Sequence, residues 1–84
     1  MYYIYVLISL KTGKPYVGFT DNIQRRLQEH NSGNSRYTKT RGPWKLIYSE
    51  ERKTLSEAER REKFFKTGDG RRVLKDILTK SIVN

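Results

Sequence analysis

The sequence contains no cysteine, and only two prolines and one histidine among its 84 residues. Without cysteine there can be no disulfide staple, no zinc–thiolate site and no thiol nucleophile. That usage fits a reducing compartment, and the cytoplasm is the expected location. The N-terminal run YYIYVLISL is far shorter than the roughly 20 apolar residues of a membrane span. It also lacks the basic leader and small-residue cleavage site of a signal peptide. A third absence is local. No acidic residue falls between Glu29 and Glu50, whereas Arg36, Lys39, Arg41 and Lys45 all lie in that interval.

What is present points to nucleic acid. Eighteen Lys and Arg oppose nine Asp and Glu, for a net charge of +9 at pH 7. Such a balance suits a polyanionic partner, and nucleic acid suits it better than an anionic membrane, because no helix pairs a basic face with a broad apolar one. The acid-free interval overlaps a connector of small and basic residues, NSGNSRYTKTRGP (31–43). Arg25, Arg36, Lys39, Arg41 and Lys45 are the candidate nucleic-acid contacts, against the simpler alternative of a solvated basic surface. A chain of this length makes one domain, expected over 1–84 with its core in about 2–80. Six tyrosines in so small a core imply that it opens onto a polar site, because a buried phenol needs a hydrogen-bond partner.

YYIYVLI (2–8), PYVGFT (15–20) and WKLIYSE (44–50) read as strands, rich in aromatic and β-branched residues. A turn centred on Thr12-Gly13 would pair the first two strands so that Tyr5 and Tyr16 share a face with Tyr3, Gly18 and Thr20. A slip of one residue would separate the two tyrosines. Asp21 or Thr20 is expected to cap a helix carrying Ile23, Leu27 and His30 on one stripe, with Gly33 as its stop signal. Thr54 and Glu57 form the start of a second helix, with Leu55, Ala58 and Phe65 inward. TGDG (67–70) precedes a third helix from about Arg71, with Val73, Leu74, Ile77 and Leu78 inward. The order β-β-α-β-α-α predicts a small α/β (α+β) fold: a three-stranded antiparallel sheet packed by helices.

Two polar residues fall where these helices should be apolar, His30 and Glu62, and Arg26 precedes His30 by one turn. Each alone has an ordinary explanation: a satisfied histidine, a salt-bridge partner, a surface charge. Tyr5 and Tyr16 alone would be sheet packing. Taken together they suit phosphodiester hydrolysis. A guanidinium can hold a phosphate and oppose transition-state charge. One carboxylate can anchor a Mg²⁺ that keeps most of its waters. A phenol or imidazole can move the proton of the attacking water.

The pair YIY (3–5) and YVG (16–18) resembles the two halves of the GIY-YIG signature, with Tyr3 and Val17 as variations on it. Arg26 follows Tyr16 by ten residues, and the RxxxH step to His30 with Asn31 after it is similar to the family's helix motif. Glu62 in AERREKFFK stands where that family places its metal-binding glutamate. RGPW (41–44) and KTGDGRR (66–72) resemble the small stand-alone bacterial members of the superfamily (UPF0213-like). The resemblance spans essentially the whole chain. It implies a Mg²⁺- or Mn²⁺-dependent endonuclease domain using one ion. Tyr5 would act as or assist the general base, Tyr16 position water or phosphate, Arg26 oppose the phosphorane-like charge, Glu62 bind the metal, and His30 assist proton transfer or hold the tyrosine. It implies DNA as partner, with branched or single-stranded forms in view, and selectivity from the basic surface or a partner protein. Gly18 is expected to keep the sheet surface clear for a substrate backbone. The rival readings are a nucleic-acid-binding module without turnover and a basic interaction protein.

Overall fold

A computed structural model describes residues 1–33 and 40–83, with the side chains of 81–83 excepted. Arg36 and Lys39 lie outside the described residues. The elements run β1 (Tyr2–Ser9), β2 (Pro15–Thr20), α1 (Ile23–Asn31), β3 (Trp44–Arg52), α2 (Leu55–Phe64) and α3 (Gly68–Val83). The strands form one antiparallel sheet in the order β2-β1-β3, so the apolar β1 is central and both neighbours are edges. This is the expected α+β arrangement. Among the described residues no helix is long and apolar enough to cross a membrane.

Alternation along β1 feeds two cores, one on each side of the sheet. Ile4 packs with Ala58 of α2 and with Phe65, and Leu74 and Ile77 of α3 complete that layer. Tyr5 and Leu7 face the other way, with Trp44, Leu46, Tyr16 and Leu27 of α1. A register shift between Val6 and Leu7 on the β1–β3 pair makes this possible. Tyr5 pairs with Ser49 but Leu7 with Leu46, so one extra β3 residue is taken up at that point. The bulge reverses the alternation of β3 and turns Trp44 and Leu46 toward α1, while Tyr48 beyond it joins the α2–α3 side.

The β1–β2 register is Tyr3↔Thr20, Tyr5↔Gly18 and Leu7↔Tyr16. It is two residues tighter than a Thr12-Gly13 centre would give, but the parity is the same, and Tyr5 and Tyr16 share a face. Gly13 has the positive φ, 76°, that the turn requires.

Local signals held in part. Asn22, not Asp21 or Thr20, caps α1: its side chain accepts from Arg25 N–H, while the Thr20 hydroxyl accepts from Asn22 N–H. α1 ends at Asn31, and Gly33 follows with φ 84°. Thr54 caps α2 as its spacing predicts, accepting from Glu57 N–H. α3 starts earlier than Arg71. Thr67 accepts from Gly70 N–H in capping fashion, so TGDG is the cap and first turn of the helix. A Cβ at Gly70 would overlap the Phe64 carbonyl, and this close approach lets α3 follow α2 so tightly. Leu55 and Val73 are exposed rather than inward.

Candidate active site

An open cleft of about 840 Å³ runs along the free edge of β2. Among the described residues no strand lies beyond β2, and residues from both sheet faces reach the cleft. Tyr5, Tyr16 and Gly18 come from the α1 side, whereas Val17 and Phe19 come from the α2–α3 side. Arg26 closes it from α1, and Glu62, Lys66 and Arg71 line it from α2, its C-terminal turn and α3. The packing of helices on opposite faces thus brings residues from five elements to one edge.

Tyr5 is 2% exposed, yet its ring points at the cleft beneath β2. Gly18 makes the room. A Cβ there would lie 2.5 Å from the Tyr5 hydroxyl oxygen, so the glycine clears space for the phenol rather than for a substrate backbone. That corrects the sequence expectation: Gly18 lies directly opposite Tyr5, and the ring covers it.

Behind the phenol, His30 Nε2 lies 3.1 Å from the Tyr5 hydroxyl oxygen. Tyr5, Tyr16 and His30 form a ring cluster. The Tyr16 and His30 centroids are 5.0 Å apart edge to face, and Tyr5 lies 6.0 Å from His30 and 6.4 Å from Tyr16. His30 itself is 1% exposed, and it supports Tyr5 from within instead of lining the cleft.

Arg26 holds Glu29 at 3.0 Å, and its positive charge bears on the same phenol, favouring the ionised form. The Tyr5 hydroxyl and His30 Nε2 share one proton, and the tautomer of His30 decides which of the two donates. Burial, then the Arg26 charge, hold the His30 pKa below its ordinary value, keeping the ring neutral. Burial raises the Tyr5 pKa above 10, an effect partly offset by the nearby Arg26 guanidinium. Tyr5 is thus a neutral phenol bonded to a neutral imidazole.

Glu62 reaches the cleft with a side chain only 14% exposed, and Lys66 Nζ lies 2.5 Å from its Oε1. The partner lies in the turn that follows α2 and in the same cleft, and is not an arginine across the sheet. Among the described residues no three carboxylate or imidazole groups cluster as a ready-made metal cage. Glu62 alone nevertheless suits a Mg²⁺ that keeps its waters and takes phosphate oxygens as further ligands.

The candidate nucleic-acid residues distribute differently. Arg25 pairs with Asp21 at 2.7 Å and Glu29 at 3.3 Å on the exposed side of α1. Lys45 is on β3, at the opposite edge of the sheet, and Arg41 lies in the loop that precedes β3, its carbonyl accepting from the Ser9 hydroxyl. None of the three lines the cleft, whose cations are Arg26, Lys66 and Arg71. Sequence reasoning missed the last two. The i, i+4 step from Glu62 to Lys66 was the available signal. Asn31 also carries more than a motif match. Its side chain accepts from Trp44 N–H at 2.7 Å and donates to Trp44 C=O at 3.2 Å, pinning α1 to β3.

The sheet order, the helices on either face and the paired tyrosines at the β2 edge define a small α+β fold with a cleft along one sheet edge. The GIY-YIG catalytic domain family matches residues 1–73, and the chain belongs to that family, within a nuclease superfamily. Its relatives include UPF0213 protein CPE1444 of Clostridium perfringens, 39% identical over 98% of this chain and 88% of the relative. UPF0213 protein SH2523 of Staphylococcus haemolyticus is 40% identical over 90% and 93%. The solution NMR structure of UPF0213 protein BH0048 of Bacillus halodurans superposes with a TM-score of 0.53 at 32% identity, covering 92% of this chain and 85% of that one.

Proposed function

We propose that the β2-edge cleft hydrolyses DNA phosphodiester bonds with one divalent cation, Mg²⁺ or Mn²⁺, held on the protein side by Glu62. The observation that carries this reading is the convergence of Tyr5, Tyr16, Arg26 and Glu62 on one cleft, with His30 bonded to Tyr5 from behind. Arg26, held by Glu29 at the cleft, opposes the charge that develops on the phosphoryl oxygens. Tyr5 takes a proton from the attacking water while passing its own to neutral His30, so no free phenolate forms. Water oxygen bonds to phosphorus as the bond to the leaving oxygen breaks, and that oxygen takes a proton from solvent. Tyr16 borders the same space and orients water or phosphate. The cation, when bound, supplies Lewis-acid stabilisation of the phosphate and an acidified water. The open, basic cleft with a half-buried tyrosine suits DNA selected by structure, such as branched or single-stranded forms, more than by sequence.

A second reading has its own support. Burial raises the Tyr5 pKa and Lys66 occupies Glu62, which suits a module that binds nucleic acid without turnover. One experiment separates the two: cleavage of duplex, single-stranded and branched DNA with Mg²⁺ by wild type, Tyr5→Phe and Glu62→Gln. The nuclease reading expects losses of about 10²–10⁴-fold for Tyr5→Phe, typical of a lost proton-transfer group, with DNA binding retained. Equal background nicking by all three proteins, with DNA still bound, selects the binding module.

A further inference from the structure

The ion pair between Glu62 and Lys66 is asymmetric. The glutamate side chain is 14% exposed and set in the cleft wall, whereas the lysine is 65% exposed. A compact ammonium on a four-carbon stem moves easily, and a carboxylate fixed among packed side chains does not. Whatever breaks the pair does so by moving Lys66. Lys66 lines the same cleft as Tyr5 and Tyr16. Its contact with Oε1 places a positive charge directly beside the carboxylate that would hold a cation. Arg26 and Arg71 border the same cleft, so a cation that displaces Lys66 leaves three protein cations around itself. That arrangement is costly until an anion arrives.

We propose that Lys66 is a shared counter-ion, pairing with Glu62 in the empty cleft and with a substrate phosphate once a divalent cation takes Glu62. Cation and DNA therefore bind cooperatively. The inference rests on Glu62 as the cation ligand and adds a positioning residue that couples the two ligands. Neither ligand alone satisfies the charges: the cation strands Lys66, and DNA alone leaves the lysine divided between phosphate and Glu62. Linkage makes the effect reciprocal, so DNA tightens the cation as much as the cation tightens DNA.

The test is Mn²⁺ titration by calorimetry of the full chain, with and without a short single-stranded oligonucleotide, in a Tyr5→Phe background that preserves the DNA. Oligonucleotide should tighten Mn²⁺ by at least about fivefold, the lower end of ordinary coupling. Lys66→Met should tighten Mn²⁺ binding to the DNA-free protein by about two- to fivefold, the worth of one partly exposed ion pair. It should also shrink the effect of the oligonucleotide. Lys66→Arg, which keeps the pair, should behave as the unsubstituted protein does. Lys63→Met removes an equal charge at an exposed neighbouring position. If it tightens Mn²⁺ as much as Lys66→Met, net charge explains the result and the counter-ion role is overturned. An unchanged oligonucleotide effect in Lys66→Met overturns it equally. Glu62→Gln separates the two levels: if it binds Mn²⁺ as well as before, the cation assignment itself fails.

Discussion

The Tyr5 hydroxyl and His30 Nε2 stand 3.1 Å apart although 25 residues separate them, and both side chains are buried. Tyr5 comes from the central strand and His30 from the last turn of α1, so the contact exists only once α1 has docked on the sheet. It makes the imidazole of His30 part of the tyrosine's chemistry. It also makes a core residue sensitive to pH.

The first consequence is acid lability. Burial and Arg26 hold the folded His30 pKa below the 6.5 of an unfolded histidine. Between those two values the unfolded chain binds more protons, so this group's contribution is complete above pH 6.5 and is lost as pH falls through the folded value. Denaturant unfolding at about pH 7 and about pH 5 should show lower stability at the acid point. His30→Gln should reduce that difference, and an equal drop in the variant would refute the assignment to His30.

Gly18→Ala should be harmful despite being a minimal change on an edge strand. Its Cβ would meet the Tyr5 hydroxyl oxygen at 2.5 Å and Cζ at 2.8 Å. Overpacking of this kind costs about 1–3 kcal/mol. Displacement of the phenol should lower cleavage as well. Combined with Tyr5→Phe, which removes one of the clashing atoms, the alanine should cost less stability than it does alone. Strict additivity in that double-mutant cycle would show that the clash is absent.

Adjacent arginines should behave unequally. Arg26 faces the cleft that Tyr5 also lines, whereas Arg25 pairs with Asp21 and Glu29 on the exposed side of the helix. Single-turnover cleavage at saturating DNA should fall about 10²-fold in Arg26→Ala, as expected when a transition-state donor is lost. Arg25→Ala should change the rate little, because exposed ion pairs are worth about 0–1 kcal/mol. Similar rates for the two variants would remove Arg26 from the chemistry.

Asn31→Leu should destabilise without touching the cleft. It leaves the Trp44 N–H and C=O without the asparagine that bonds both. Unsatisfied buried groups cost about 1–3 kcal/mol, and each kcal/mol lowers Tm by about 4–8 °C in a domain of this size. Thermal unfolding monitored at Trp44 should show the shift, while the cleavage rate per folded molecule stays close to wild type. A Tm within about 2 °C of wild type would mean that the bridge contributes little.

Several features were legible in the sequence because a few neighbouring residues determine them. Thr54 with Glu57 marks a helix start, Gly33 a helix stop, and Gly13 a turn needing positive φ. Parity was enough to put Tyr5 and Tyr16 on one face, even though the register is two residues tighter than expected, because side-chain direction repeats every two residues. The β-β-α-β-α-α order and the antiparallel sheet follow from the same local rules.

Other features were not legible. Asn22 displaced Asp21 as the α1 cap, since adjacent residues with similar capping ability differ only in backbone geometry. The bulge opposite Val6 and Leu7, which turns Trp44 and Leu46 toward α1, leaves no composition signal. The cleft belongs wholly to tertiary structure. Residue types and spacing nominated Tyr5, Tyr16, Arg26, His30 and Glu62, but docking of α1 and α2 on opposite faces brings the groups of Tyr5, Tyr16, Arg26 and Glu62 to the β2 edge. The same packing buries His30 behind Tyr5, adds Lys66 and Arg71 to the cleft and leaves Arg25 and Lys45 outside it. Backbone geometry over a few residues determines each element, whereas the company a charge keeps depends on how the elements pack.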